Sequence, residues 1–112
     1  MKIVLATNIR VPGLHRWPDA PFPVNYLAHR HRHLFHIEAC KDVKDADREI
    51  EFILFQNELR RFIAQAFLLL PCGTYDFDTL SCEQLAIRLI ENLGLSQCTV
   101  SEDGENGATV FA

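Results

Sequence analysis

Apolar residues in this chain recur with two different spacings, and these spacings predict where strands and helices lie. Lys2 to Val11 is apolar and β-branched, which favours a first strand, and Pro12-Gly13 is expected to end it. A proline-rich stretch from Trp17 to Pro23 is expected to form a loop. A second strand is then predicted from about Ala28 to Cys40, because the residues that continue it are β-branched and aromatic.

Two later segments have apolar residues three and four positions apart, the spacing of an amphipathic helix. The first helix is expected to follow Asp45-Ala46-Asp47 and to end at Pro71-Cys72-Gly73. Its apolar positions are Phe52, Phe55, Leu59, Phe62, Ile63, Ala66, Phe67 and Leu70. The second helix is predicted to begin near Ser81, where Ser81 and Gln84 can form a capping box, and to stop at Gly94.

The C-terminal segment is predicted to be a β-hairpin. Cys98-Thr99-Val100 leads into it, and Asp103-Gly104 and Asn106-Gly107 supply residues that favour turns. The element order is therefore ββααββ. We expect one α+β domain over residues 1–112, with a four-stranded antiparallel sheet and two helices on one face. Oligomerisation would cover the open edges of so small a sheet.

Composition limits the classes of protein to consider. The chain has 112 residues, of which 48% are hydrophobic, enough for one core. Its cysteines form no C-x-x-C pair, and the N-terminal apolar run is too short for a signal peptide or a membrane span. We therefore expect reduced thiols, a cytoplasmic location and no membrane partner.

Charge is unevenly placed along the chain. The net charge is −4, yet residues 1–36 carry five Lys and Arg side chains against Asp19 alone. This basic segment contains all five histidines, so a small anionic ligand is plausible there. Nucleic acid is not expected as a partner, because the overall charge is negative and no recognised nucleic-acid motif is present.

The strongest chemical signal is the run His29-Arg30-His31-Arg32-His33. On a strand, residues two apart point to the same face, ~7 Å from one another. His31 and His33 could therefore converge on one metal ion, and His15 lies upstream as a third imidazole. Three imidazoles without a fourth protein ligand are typical of an open zinc site rather than a structural one. The alternative is that these histidines only cover a half-exposed strand.

Four short segments, taken in order, resemble the 6-pyruvoyltetrahydropterin synthase and 6-carboxytetrahydropterin synthase family. Leu14-His15-Arg16-Trp17 is similar to the family's A-H-R-L segment, and residues 31–37 are similar to its H-G-H-[NS]-[YF]-x-V strand. Residues 80–86 resemble its P-T-x-E-N-L-A helix start, and residues 100–103 its V-x-E-T segment. The resemblance implies the tunnelling fold, in which ββααββ protomers join edge to edge into a barrel, as a homo-trimer or homo-hexamer.

The same resemblance implies a set of site residues. His15, His31 and His33 would bind zinc, and Glu102 would bind a pterin ring. The carboxylate of Glu102 can accept two parallel N–H bonds from a 2-amino-pyrimidinone edge. Glu83, at the matching helix start, is a second candidate for ligand binding, and interaction with the helix dipole is its alternative role.

The chain also departs from the family pattern. The family's base cysteine would fall near Asn25 or Leu27, but no cysteine precedes His36, and no Asp-His pair lies between the helices. His29 and Cys72 are the candidates to replace that base; the alternatives are that His29 is an ordinary exposed strand histidine and that Cys72 has no catalytic role. Without a base, an acid–base step typically slows by ~10²–10⁴-fold.

Three functions therefore stay open. The first is a zinc-dependent carbon–oxygen lyase of the pterin synthase type, acting on a pterin- or purine-like compound. The second is a non-catalytic protein that binds a pterin, purine or nucleotide in order to sequester or sense it. The third is a structural oligomer whose histidines have no chemical role.

Overall fold

Six strands and two α-helices make up the computed structural model, which describes all 112 residues. The elements in chain order are β1 (Ile3–His15), β2 (His31–Val43), α1 (Phe52–Ala66), β3 (Leu68–Leu69), β4 (Tyr75–Asp76), α2 (Cys82–Leu93), β5 (Gln97–Glu102) and β6 (Asn106–Phe111). A short 3₁₀ turn, Asn25–Ala28, precedes β2. The expected α+β class is confirmed.

The sheet is six-stranded and mixed, in the order β3-β4-β1-β2-β5-β6, so the prediction of a four-stranded antiparallel sheet is wrong. Its four long strands pair antiparallel as expected. The additional strands β3 and β4 have two residues each, and β4 runs parallel to β1 at Gly13 and Leu14. Two residues are too few for an alternating pattern to be visible in a sequence.

Pro12-Gly13 does not end β1, which continues in register with β2 as far as His15. The carbonyl of Leu14 accepts a hydrogen bond from the Phe77 N–H on the side away from β2. Pro12 lies two residues before Leu14, so its backbone nitrogen points to the same side as the Leu14 carbonyl, away from β2. The missing N–H of proline therefore costs no hydrogen bond between β1 and β2. The structure therefore tolerates both residues inside a long strand.

The first helix begins with its apolar pattern at Phe52, later than Asp47, but ends before that pattern does. α1 begins at Phe52, where the Glu51 side chain accepts hydrogen bonds from two backbone N–H groups, and it ends at Ala66. Phe67 is already extended and leads into β3. The second helix agrees with the prediction, because Ser81 and Gln84 form the capping box and Gly94 ends it with φ 64°.

Both helices pack on the same face of the sheet. In β1 and β2 the odd-numbered residues point to that face, and their even-numbered neighbours point to the other. The buried residues of the resulting core include Ile9, Val11, Phe35, Ile37, Phe55, Leu59, Ile63, Leu85, Leu89, Cys98 and Val100. Neither helix has the length and apolar character that a membrane-crossing segment requires.

Candidate metal centre

Strand register brings three histidines together at one end of the β1–β2 ladder. His15 lies directly opposite His31, and Gly13 lies opposite His33. All three histidines have odd numbers and therefore share the face that carries the core. The ring centroids of His31 and His33 lie 5.0 Å apart, and that of His15 lies 4.6 Å and 5.4 Å from them. The same-face spacing read from the sequence is thus realised in the fold.

A carboxylate from the other end of the chain completes the group. Glu102 ends β5, opposite Phe35 of β2. Its Oε2 atom is 2.8 Å from His15 Nε2 and 3.3 Å from His33 Nε2. The candidate ligand atoms of His15, His31, His33 and Glu102 all lie within 4.8 Å of one another.

Each imidazole is oriented by a hydrogen bond at its other ring nitrogen. His15 Nδ1 donates to the Leu80 carbonyl at 2.8 Å, and His31 Nδ1 donates to the His29 carbonyl at 2.8 Å. His33 Nδ1 donates to Asp103 Oδ2 at 2.7 Å. These partners fix the proton on Nδ1 of each neutral ring and leave each Nε2 with a lone pair. Such outer partners are usual for metal-binding histidines.

Asp103 makes several hydrogen bonds around His33. Besides accepting from His33, its carboxylate accepts from the Leu34 N–H at 2.9 Å, and its own N–H donates to the Leu34 carbonyl at 2.8 Å. The hydrogen bond from His33 lowers the pKa of the Asp103 carboxyl from its ordinary value. From the sequence, Asp103 is expected only as a turn residue. The roles of the Leu80 and His29 carbonyls cannot be predicted from a sequence, because every residue has a backbone carbonyl.

The environment of His15 gives an independent test of whether a metal ion fits. His15 Nε2 is buried and makes no hydrogen bond of acceptable geometry, although Glu102 Oε2 is nearby. An unsatisfied buried polar atom costs ~1–3 kcal/mol. Tetrahedral bonds of ~2.0–2.1 Å place ligand atoms ~3.3 Å apart, and the separations here bracket that value: 2.8 Å and 3.3 Å from Glu102 to His15 and His33, and at most 4.8 Å within the group. The donor set therefore fits a divalent metal ion.

A cleft of about 710 Å³ opens beside the histidines. His15, His31 and Glu102 line its sheet side, and Trp17 and the residues around Ser81 line it elsewhere. This volume lies within the ~300–1,000 Å³ range of small-molecule sites. The cluster is thus accessible to a ligand rather than sealed in the core.

The basic character of the first 36 residues is not concentrated in this cleft. Arg16 is the one cationic side chain that lines it, alongside the carboxylates of Asp19, Glu83 and Glu102. Arg10 and Arg32 have even numbers and point to the opposite face of the sheet. Arg30 pairs with Asp76 at 3.0 Å. The folded structure therefore gives little support to the anionic ligand that the charge distribution suggests.

The two residues considered as substitute bases lie outside the lining of the cleft. His29 is exposed just before β2 and contributes its carbonyl to His31. Cys72 is exposed in the turn between β3 and β4, where a hydrogen bond with Thr74 lowers its pKa. Cys82 does line the cleft, but burial raises its pKa to about 12, so it is a neutral thiol at neutral pH.

Sequence comparison identifies no relative: no protein-family model matches the chain, and no curated protein matches it. Solved structures do match. The chain superimposes on an uncharacterized protein of Wolinella succinogenes with a TM-score of 0.66 and 13% identity, covering 99% of this chain and 98% of that one. It superimposes on 6-pyruvoyl tetrahydropterin synthase of Caenorhabditis elegans with a TM-score of 0.67 and 12% identity, covering 100% and 96%. At this identity the likeness shows the fold alone, which is that of a pterin synthase.

Proposed function

We propose that this protein binds zinc through His15, His31 and His33 and holds a pterin- or purine-like small molecule in the adjoining cleft. The observation that carries the proposal is the convergence of three imidazoles whose Nδ1 atoms are all hydrogen-bonded elsewhere. This arrangement keeps each Nε2 free for a metal ion, and the cleft gives a ligand access to the same place.

Zinc is the metal we propose because imidazole nitrogens and carboxylate oxygens are ligands that it commonly takes. Bound zinc would polarise a substrate oxygen, which is the chemistry that a Lewis acid supplies. In the proposed complex Glu102 binds the amidine-like N–H edge of the ligand through paired hydrogen bonds. Glu83, exposed at the start of α2, lies on the rim of the cleft and is a second contact for the ligand.

Turnover by the pterin synthase route would also require a base, and the cleft supplies no reactive thiol. Cys82 keeps its proton at neutral pH because its pKa is raised to about 12. We therefore favour slow or absent conversion of dihydroneopterin triphosphate. Binding without turnover, for sequestration or sensing, is the second candidate function, and the lack of a thiolate in the cleft favours it. If the protein is an enzyme, it is a zinc-dependent carbon–oxygen lyase.

Metal analysis of untagged protein tests the zinc site. We expect about one zinc per chain, and we expect it to be lost in the double variant His31→Ala/His33→Ala. His36→Ala is the matched control, because His36 lies on the same strand but points to the opposite face. Equal zinc content in the double variant and the control would refute the assignment.

A thermal-shift panel tests the ligand. Pterins and guanine-type compounds carry the N–H edge that a carboxylate can clamp, so they should stabilise the zinc-loaded protein more than adenine-type compounds. A ligand at 100 times its Kd adds ~2.7 kcal/mol to stability. Equal stabilisation by both classes of compound would contradict the paired hydrogen bonds proposed for Glu102. Single-turnover chromatography of dihydroneopterin triphosphate then separates an enzyme from a binding protein.

We further propose that the chain works as a homo-trimer or homo-hexamer in the cytoplasm. β6 is an edge strand with the exposed side chain of Phe111 near its end, and pairing with a second copy would cover that edge. The cysteines are all free thiols, which suits a reducing compartment. Light scattering that gives a monomer at micromolar concentration would contradict the assembly.

A further inference from the structure

The position of Glu102 bears on both proposed activities of the site, metal binding and ligand binding. We infer that Glu102 is the fourth ligand of the bound metal ion in the absence of a small molecule, and that an amidine-bearing ligand draws it away from the metal. The inference rests on the proposed function, since it requires the three-histidine metal site to exist. In this arrangement a protein side chain occupies the fourth position of the metal ion, which would otherwise be open.

The first support is the ionic environment of Glu102. Its side chain is only 28% exposed, and its ion-pair contacts are with the imidazoles of His15 and His33 rather than with any lysine or arginine. Burying a carboxylate without a cation is costly. Imidazoles that serve as neutral metal ligands do not neutralise this carboxylate, whereas a divalent ion among them does.

The second support is the location of the carboxylate oxygen. Oε2 lies 3.3 Å from His33 Nε2, the spacing of ligand atoms at a tetrahedral zinc, and at a shorter 2.8 Å from His15 Nε2, so it is within reach of a metal ion bound by these two imidazoles. It makes no hydrogen bond of acceptable geometry with the buried His15 Nε2. Each atom therefore keeps a lone pair, which a shared metal ion would accept.

The consequence is a competition for one carboxylate. A paired clamp on an amidine-like edge uses both oxygens of Glu102. The bond from Oε2 to the metal must therefore break when the two N–H···O bonds form, and an oxygen of the entering molecule or of water takes the vacated position. Binding of the small molecule opens the metal site only for a ligand that carries the correct edge.

Cobalt(II)-substituted and zinc-loaded proteins test this inference without any assay of turnover. The variant Glu102→Gln removes the charge and keeps the shape, and Glu105→Gln, in the exposed turn that follows β5, is the matched control. We expect Glu102→Gln to weaken zinc binding at least ~10-fold in competition with a chelating dye, the lower bound seen for outer-shell losses. Glu105→Gln should bind zinc like the wild type.

Visible spectra of the cobalt(II) proteins give the second readout. The spectrum of Glu102→Gln should differ from that of the wild type, and added neopterin should shift the wild-type spectrum. Circular dichroism checks folding, and Glu102→Asp, which retains a carboxylate on a shorter stem, should bind zinc with intermediate affinity and thus repeats the test if the glutamine variant does not fold.

The outcomes separate this inference from the function on which it rests. Unchanged zinc affinity and an unchanged cobalt spectrum in Glu102→Gln would overturn the inference while leaving the three-histidine site intact. A wild-type cobalt spectrum that does not change on addition of neopterin would overturn the inference that the ligand draws Glu102 away from the metal. Full zinc binding by His31→Ala/His33→Ala would instead show that the proposed metal site itself is wrong.

Discussion

Gly13 marks the point at which the packing beneath the histidines leaves no room for a side chain. A Cβ atom there would lie 2.8 Å from Cδ2 of Phe35 and closer still to the ring of Phe77. Both rings are only 1% exposed, so neither can move out of the way into solvent. The Phe35 ring also contacts His15 and His33 edge to face, at centroid distances of 5.1 Å and 5.7 Å. Any shift of Phe35 will therefore disturb the positions of these histidines.

The substitution Gly13→Ala sets two effects of opposite sign against each other. In a regular strand the change reduces the entropy of the unfolded chain and normally stabilises a protein by ~0.4–1 kcal/mol. Overpacking of a buried site costs ~1–3 kcal/mol. Because the clash is with two buried rings, we expect overpacking to prevail and the free energy of unfolding to fall by about 1–2 kcal/mol.

Urea unfolding of the metal-free protein measures this change without any contribution from metal binding. The control is a double-mutant cycle with Phe77→Leu, which makes space beside Gly13. The two changes should be non-additive, with a coupling of ~0.5–3 kcal/mol, because the alanine methyl group then has room. A Gly13→Ala protein as stable as the wild type, or strictly additive effects, would refute the packing argument.

Three further predictions concern the surroundings of the site. Asp103→Asn should weaken zinc binding ~10–100-fold in chelator competition, because it removes the carboxylate that orients His33; equal affinity would contradict that role. Ser81→Ala removes the N-cap of α2 and should cost ~1 kcal/mol in urea unfolding; an unchanged midpoint would show that the cap contributes nothing. At pH 8 iodoacetamide should alkylate Cys72, whose pKa is lowered, well before Cys82, whose pKa is about 12, because the thiolate is the nucleophile. Equal rates in peptide mapping would contradict that order.

The sequence predicts best where one local rule decides the structure. The capping box and Gly94 place α2 within a residue or two, because capping depends on neighbouring residues alone. The alternation of His31 and His33 predicts that they share a face, because the side-chain period of a strand is two. These features survive in any fold that keeps the segments as helix and strand.

The sequence predicts the structure less well where a partner strand or a distant backbone group determines it. Pro12 is tolerated in β1 only because its nitrogen faces away from β2, which depends on the register of a distant strand. β3 and β4 exist through pairing with each other and with β1, not through any pattern of their own. The sequence predicts only ligand binding for Glu102, since nothing in it shows that β5 places this residue beside His15.

The long separations within the site determine when it can form during protein synthesis. His15 depends on Leu80, 65 positions later in the chain, and His33 depends on Asp103, 70 positions later. At ~5–20 residues per second, a ribosome needs roughly 3–14 s to pass from a histidine to the residue that orients it. A nascent chain therefore displays all three imidazoles well before it can hold them in place. Under the proposed function, metal capture is then a late event that marks a chain whose final hairpin has joined the sheet.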